Sequence, residues 1–201
     1  MLQDENTENE NTDIQDNTQN DTNNLILAKV NGEEISFETV NSTRQSYMQQ
    51  GQQFSEKSIL ELLINQTIVL QNAASEGYNY TDGEVESEIQ QLLAQQNQTL
   101  DMYKQQLQTQ GLSYEEELQN YKEQLMIQNY LYDEIEGVDL NVTEAEALAY
   151  YESYKNQTRG EPASYEELES QIIEYLQLIK EQEAINNVIK DLRKDAEIIY
   201  L

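Results

Sequence analysis

The sequence predicts a mainly α fold in which a small β cluster pairs the N- and C-terminal segments. Three observations predict it. Four Ser/Thr-x-x-Glu patterns open helices, glycines punctuate apolar runs of helical period, and two short β-rich pieces flank the helical region.

Taken in chain order, residues 1–24 hold seven acids, seven Asn and no Lys or Arg, with only Met1, Leu2 and Ile14 as sizeable apolar groups. Such a segment cannot offset its ordering entropy by burial, so it is expected to be a disordered acidic, Asn-rich tail or tether. Residues 25–201 are expected to form a single helical domain. Leu25-Ile26-Leu27-Ala28-Lys29-Val30, the turn Asn31-Gly32 and Glu33-Glu34-Ile35-Ser36 predict a tight hairpin. An isolated two-stranded hairpin is marginal in water, and Glu197-Ile198-Ile199-Tyr200-Leu201 reads as the third strand that completes it.

Between these pieces helix follows helix. The run Ile59, Leu60, Leu62, Leu63, Ile64, Ile68, Val69, Leu70, Ala73 and Ala74 is apolar nearly all round, which predicts a central helix covered on several sides. Thr81 with Glu84, Ser113 with Glu116, Thr143 with Glu146, and Ser164 with Glu167 mark helix starts. Gly51, Gly77, Gly111 and Gly137 follow helical runs, Gly83 falls in a first turn, and Gly160 with Pro162 marks a connection. The helix from Tyr114 to Ile135 carries Leu118, Tyr121, Leu125 and Tyr132 on one stripe. Tyr165, Leu168, Ile172, Leu176 and Ile179 continue into Ile185, Val188, Ile189, Leu192 and Ala196, a helix of about 30 residues with a kink expected at Glu181 to Glu183.

Charge and composition exclude several functions. The chain of 201 residues has 11 Lys+Arg against 39 Asp+Glu, a formal net charge of -28. Without the first 24 residues the balance is 39 − 7 = 32 acids against 11 bases, or -21, so the folded surface itself is acidic. Nucleic acids and anionic bilayers would repel it. With no His and no Cys, zinc sites of Cys/His type, Ser-His-Asp triads and Cys nucleophiles are excluded. Hydrophobic residues make up 37%, with 14 Tyr, 2 Phe and no Trp, so the core is partly built of tyrosine, and Tyr121, Tyr132, Tyr165 and Tyr175 are expected in it.

No stretch reaches the roughly 18 apolar residues of a membrane span, and no basic-then-apolar leader opens the chain. A polar tether of this kind commonly follows a cleaved signal or an anchor. With sequons at Asn20, Asn41, Asn65, Asn79, Asn97, Asn141 and Asn156, it points to a secreted or membrane-tethered protein. Asn65 lies inside the most apolar helix, where its sequon reads as an accident of composition.

Val30-Asn31-Gly32-Glu33-Glu34-Ile35-Ser36, then "LELLINQTIVLQNAASEG" from Leu60 to Gly77, then Thr81-Asp82 to Ile89, resemble the N-terminal chaperone domain of SurA- and PrsA-like extracytoplasmic foldases. "LQTQGLSYEEELQNYKEQLMIQNYL", from Leu107 to Leu131, is similar to that family's mid-domain helix pair. Val142 to Tyr151 resembles the helix that precedes its isomerase module, and Ser164 to Ile198 the segment that follows it. The resemblance implies an ATP-independent chaperone that holds unfolded or partly folded polypeptides. Only Asn156 to Ala163 lie between Lys155 and Ser164, which leaves no room for a parvulin-type isomerase domain, whose sites rely on His and often Cys. Prolyl isomerase activity is therefore not expected, and no nucleotide motif of the type GxxxxGK[ST] or GxGxxG occurs. The alternative is a module on the cell surface that uses the same fold for one dedicated partner.

No catalytic, cofactor or metal residues are assigned. Glu115-Glu116-Glu117 and Glu166-Glu167 sit in helix first turns, where the dipole accounts for them. Asp13, Asp16 and Asp21 lack the spacing and glycine of a calcium loop. The candidate client-binding residues are Met48, Phe54, Met102, Tyr103 and Leu107, apolar groups in the Gln-rich, least core-like segments.

Overall fold

In the computed structural model, which describes residues 25–158 and 162–201, the hairpin is built as its turn residues require. The tail 1–24, with its acids and the Asn20 sequon, and Gly160 lie outside the described residues. Asn31 and Gly32 both take positive φ, 50° and 90°, the backbone that a two-residue turn needs to match the twist of its strands. Strand β1 (Ile26–Val30) pairs antiparallel with β2 (Glu33–Ser36), and β3 (Ile198–Tyr200) adds antiparallel on the other side, giving the order β2-β1-β3. The register runs Val30 to Glu33 and Ala28 to Ile35, then slips at Leu27 so that Ile26 faces Ser36. The Leu201 amide donates to the Leu27 carbonyl at 3.0 Å, closing the edge that β3 covers. Ala28, Val30 and Ile35 are buried with the period of two expected of a half-buried sheet.

The backbone divides into two compact units, one of described residues 25–63 and 198–201, the other of residues 64–197. The first holds the sheet, α1 (Phe37–Gln49) and the start of α2 (Glu56–Ser75), and the boundary falls inside α2. Ser36 ends β2 and caps α1, its Oγ accepting from the Thr39 amide at 3.1 Å, so one residue turns sheet into helix. The run from Ile59 to Ala73 forms α2 as predicted, with Ile59, Ile64, Ile68, Val69 and Ala73 buried. Asn65 is occupied inside the second unit, since its Oδ1 accepts from Arg193 Nη1 at 2.6 Å.

The second unit contains α3 (Asp82–Gln95), α4 (Leu100–Gln110), α5 (Tyr114–Glu134), α6 (Glu144–Gln157) and α7 (Tyr165–Asp195). Seven helices are present among the described residues. Reciprocal capping boxes close at Thr81 with Glu84 and at Thr143 with Glu146. At Ser164 the Glu167 carboxylate accepts from both the amide and the hydroxyl. Ser113 caps α5 through the Glu116 amide, but its hydroxyl turns to the Glu115 carboxylate at 3.1 Å, so the reciprocal half expected from Glu116 is absent. The last helix spans 31 residues, and Glu181 to Glu183 lie within its continuous run.

Two apolar clusters hold this unit. Val85, Ile89 and Leu93 of α3 meet Leu118, Tyr121 and Leu125 of α5 together with Leu100 and Tyr103 of α4. Val69 and Ala73 meet Met126, Tyr130 and Leu131, with Ile185, Val188, Ile189 and Leu192 of α7 packed against them. Helix α5 thus buries one face near its start and another near its end. This overturns the single stripe expected of it: Tyr130 is 1% exposed and Tyr132 is 47% exposed, because 132 continues the first face beyond the reach of α3. Tyr175 is likewise exposed rather than core, while Tyr121 and Tyr165 are half-buried.

Candidate polypeptide-binding site

Three short-range rules position the candidate surface. Helix α3 ends where Asn97 takes φ 55°, and the Gln98 amide returns to the Leu93 carbonyl at 2.9 Å. Thr99 then starts α4 by accepting from the Met102 amide, and Gly111 ends it at φ 75°. Within α4, Leu100, Tyr103 and Leu107 follow i, i+3, i+7; Leu100 and Tyr103 pack against the α3–α5 cluster and Leu107 is buried, which leaves Met102 outside. Lys104, at i+4 from Leu100, ties this helix to both neighbours, with Nζ 3.5 Å from Glu86 Oε2 of α3 and 4.0 Å from the centre of the Tyr114 ring of α5. The Tyr114 hydroxyl donates to the same Glu86 oxygen at 3.0 Å.

Between α3, α4 and α5 lies a groove of about 330 Å³ lined by Ile89, Leu92, Leu93, Gln96, Gln98, Tyr103, Gln106, Glu117 and Tyr121. Its lining is apolar and aromatic at Ile89, Leu92, Leu93, Tyr103 and Tyr121, and its polar part is three glutamine amides with the single carboxylate of Glu117. Gln98 Nε2 donates to Gln106 Oε1 at 3.1 Å, bridging the α3–α4 turn to α4. Desolvation, followed by the nearby Glu117 charge, pushes the Tyr103 hydroxyl above its ordinary pKa, and Tyr121 is raised in the same way by burial and then Glu88. Both phenols stay neutral donors at physiological pH. Glutamine amides donate and accept, so they suit the unpaired N–H and C=O groups of an extended chain whatever its sequence. Among the described residues no group of three or more carboxylates converges as metal ligands.

The five predicted residues do not share one environment. Met48 and Phe54 belong to the first unit and are exposed at the end of α1, where the Tyr47 ring meets Phe54 edge-on with centroids 5.1 Å apart. In the second unit Met102 is exposed and Tyr103 lines the groove. Leu107 is 5% exposed, which corrects its reading as an uncovered group: it is the inner end of the α4 stripe. Leu92, exposed at the groove edge, was not anticipated, although it stands beside Leu93 and widens the α3 stripe beyond what the cluster buries.

Residues 11–131 match the family described as the SurA-like N-terminal domain. No curated protein matches the sequence. Among solved structures, one from work on two SurA-like chaperones of Campylobacter jejuni, the virulence factor PEB4 and the periplasmic protein Cj1289, superposes with a TM-score of 0.66. The alignment covers 89% of this chain and 99% of that one at 16% identity, a likeness of fold.

Proposed function

Because the chain belongs to the family of SurA-like N-terminal domains, we propose that it is an ATP-independent chaperone that holds unfolded or partly folded polypeptides outside the cytoplasm. The observation that carries the reading is the α3–α5 groove, in which exposed Leu92 and half-buried Tyr103 sit beside three glutamine amides. An apolar client segment would cover Leu92 and the tyrosine faces while its backbone pairs with the amides, and release would reverse both. The acidic surface would keep the loaded complex soluble. A location outside the cytoplasm is supported by the family, and among the described residues no helix is long and apolar enough to cross a membrane.

The holding activity is proposed without prolyl isomerisation, since only residues 158–164 lie between α6 and α7 and the sequence has no His or Cys. Residues 25–201 are proposed to act as a single domain, because the division between the units cuts no linker: the helical backbone of α2 runs through Leu63 and Ile64. Calorimetry should then show one transition. Aggregation of an unfolded model client, followed by light scattering, tests the function. Near-stoichiometric protein without ATP should suppress it, and Leu92→Ser with Met102→Ser, both at exposed positions, should weaken suppression with melting unchanged. Saturable binding to one protein without suppression would favour a dedicated partner instead. Relaxation of a proline peptide faster than the uncatalysed 10–100 s or so would refute the absence of isomerase activity.

A further inference from the structure

The α6–α7 hairpin carries a second concave surface that the groove does not use. Tyr150 and Tyr154 on α6, with Leu168, Gln171, Ile172 and Tyr175 on α7, line a cleft of about 260 Å³. Spacings of i, i+4 on α6 and i, i+3, i+4, i+7 on α7 put these groups on the facing sides of the two helices. The Tyr150 and Tyr175 rings lie 5.3 Å apart, tilted by 48°. Neither they nor Tyr154 use their hydroxyls in a hydrogen bond to another described residue. Apolar surface continues past the cleft, where Leu178 is 63% exposed.

Its charge is one-sided. From Tyr165 to Leu178, α7 carries Glu166, Glu167, Glu169 and Glu174 and no Lys or Arg. Glu167, Glu174 and Leu178 stand at i−4, i+3 and i+7 from Gln171 and so border the same edge. On α6, Lys155 is already engaged: its Nζ is 2.9 Å from Glu152 and 5.8 Å from the centre of the Tyr151 ring. Aromatic faces are electron-rich and attract cations, as that lysine does here.

We propose that the α6–α7 cleft captures a basic polypeptide segment, a Lys or Arg flanked by aromatic or aliphatic residues. The cation lies against the tyrosine faces beside Glu174, and the apolar neighbours cover Leu168 and Leu178 above buried Ile172. Charge decides the occupant. A second copy of the chain carries -28, and residues 1–24 carry seven acids and no base, so both are repelled where a basic segment is drawn in.

The test uses the full chain and three labelled peptides of equal length and aromatic content, bearing lysine, glutamine or glutamate, in fluorescence anisotropy at low salt. The lysine peptide should bind about tenfold more tightly than the glutamine peptide, and the glutamate peptide most weakly. Tyr154→Ala with Tyr175→Ala, and separately Glu174→Lys, should each weaken the lysine peptide by about three- to tenfold. If the tyrosine variant melts early, the exposed Glu174→Lys carries the test alone. The Leu92→Ser, Met102→Ser variant should leave this binding unchanged, so loss of client holding at the groove and loss of cation capture here are separate results. A photo-crosslinker at position 178 should attach to the lysine peptide. Equal affinity for the three peptides, or wild-type affinity in a folded Glu174→Lys variant, overturns the proposal.

Discussion

Tyr130 and Tyr132 stand two residues apart on α5 and meet opposite environments. Tyr130 packs edge-on against Tyr78, with centroids 5.6 Å apart, inside the Val69–Met126 cluster, and burial pushes its hydroxyl up to about 12. Tyr130→Ala should cost about 3–5 kcal/mol, whereas Tyr132→Ala should stay within about 0.5 kcal/mol, both read from urea unfolding. A reversed order would return Tyr132 to the core. Glu146 gives a second test at this scale. Its carboxylate accepts from the Thr143 amide at 2.7 Å, lies 2.9 Å from Lys180 Nζ and takes the Thr143 hydroxyl at 2.8 Å, which hold its pKa down at about 2 from the ordinary 4.5. A carboxyl lowered on folding adds stability above its unfolded value and loses it as pH falls through the folded one. Glu146→Gln should therefore melt below the wild type at pH 7, with the gap closing between about pH 4.5 and 2. A gap independent of pH would mean that the charge contributes nothing.

At the scale of elements, the third strand decides how the terminal segments are held. Removing Ile198–Leu201 strips β1 of its pairing at Ala28, Lys29 and Val30 and leaves an open edge beside a two-stranded hairpin. That truncation should lower the melting temperature measurably, and an unchanged melting curve would show that the sheet does not need β3. The elements were legible from the sequence where their signals are local. Asn31-Gly32 contains its own turn, and Thr81, Thr143 and Ser164 contain their own caps, so strands and helix starts could be placed before any packing was known. The buried face of α5 was not legible, because two different partners, α3 and then α2 with α7, select two different faces, and no single stripe encodes that. The candidate site was legible in part. Composition picked out α4 and with it Met102 and Tyr103, but weighing glutamine content over the stripe of Leu100, Tyr103 and Leu107 put Leu107 outside, and it passed over Leu92 and the tyrosines of the α6–α7 cleft.

For the molecule as a whole, the dominant electrostatic term is the excess of carboxylates. Ion pairs such as Lys29–Glu34 at 2.6 Å and Lys122–Asp82 at 3.1 Å are solvent-facing, and pairs of that kind contribute about 0–1 kcal/mol each. Only 11 cations face 39 acids, so repulsion among the unmatched carboxylates outweighs the pairs. Salt weakens both terms, and the larger one sets the sign. Raising ionic strength from about 0.01 M to about 1 M shortens the screening length from about 30 Å to about 3 Å, which removes most long-range repulsion but touches the close pairs less. The melting temperature should therefore rise with sodium chloride. Client holding at the α3–α5 groove, which involves burial and neutral hydrogen bonds, should be little changed over the same range, while affinity for the lysine peptide at the α6–α7 cleft should fall. Scanning calorimetry, the aggregation assay and peptide anisotropy along one salt series separate the three effects. A melting temperature that falls with salt would mean that the ion pairs outweigh the repulsion. Holding and peptide capture that decline together would mean that both clients reach the protein through the same acidic surface.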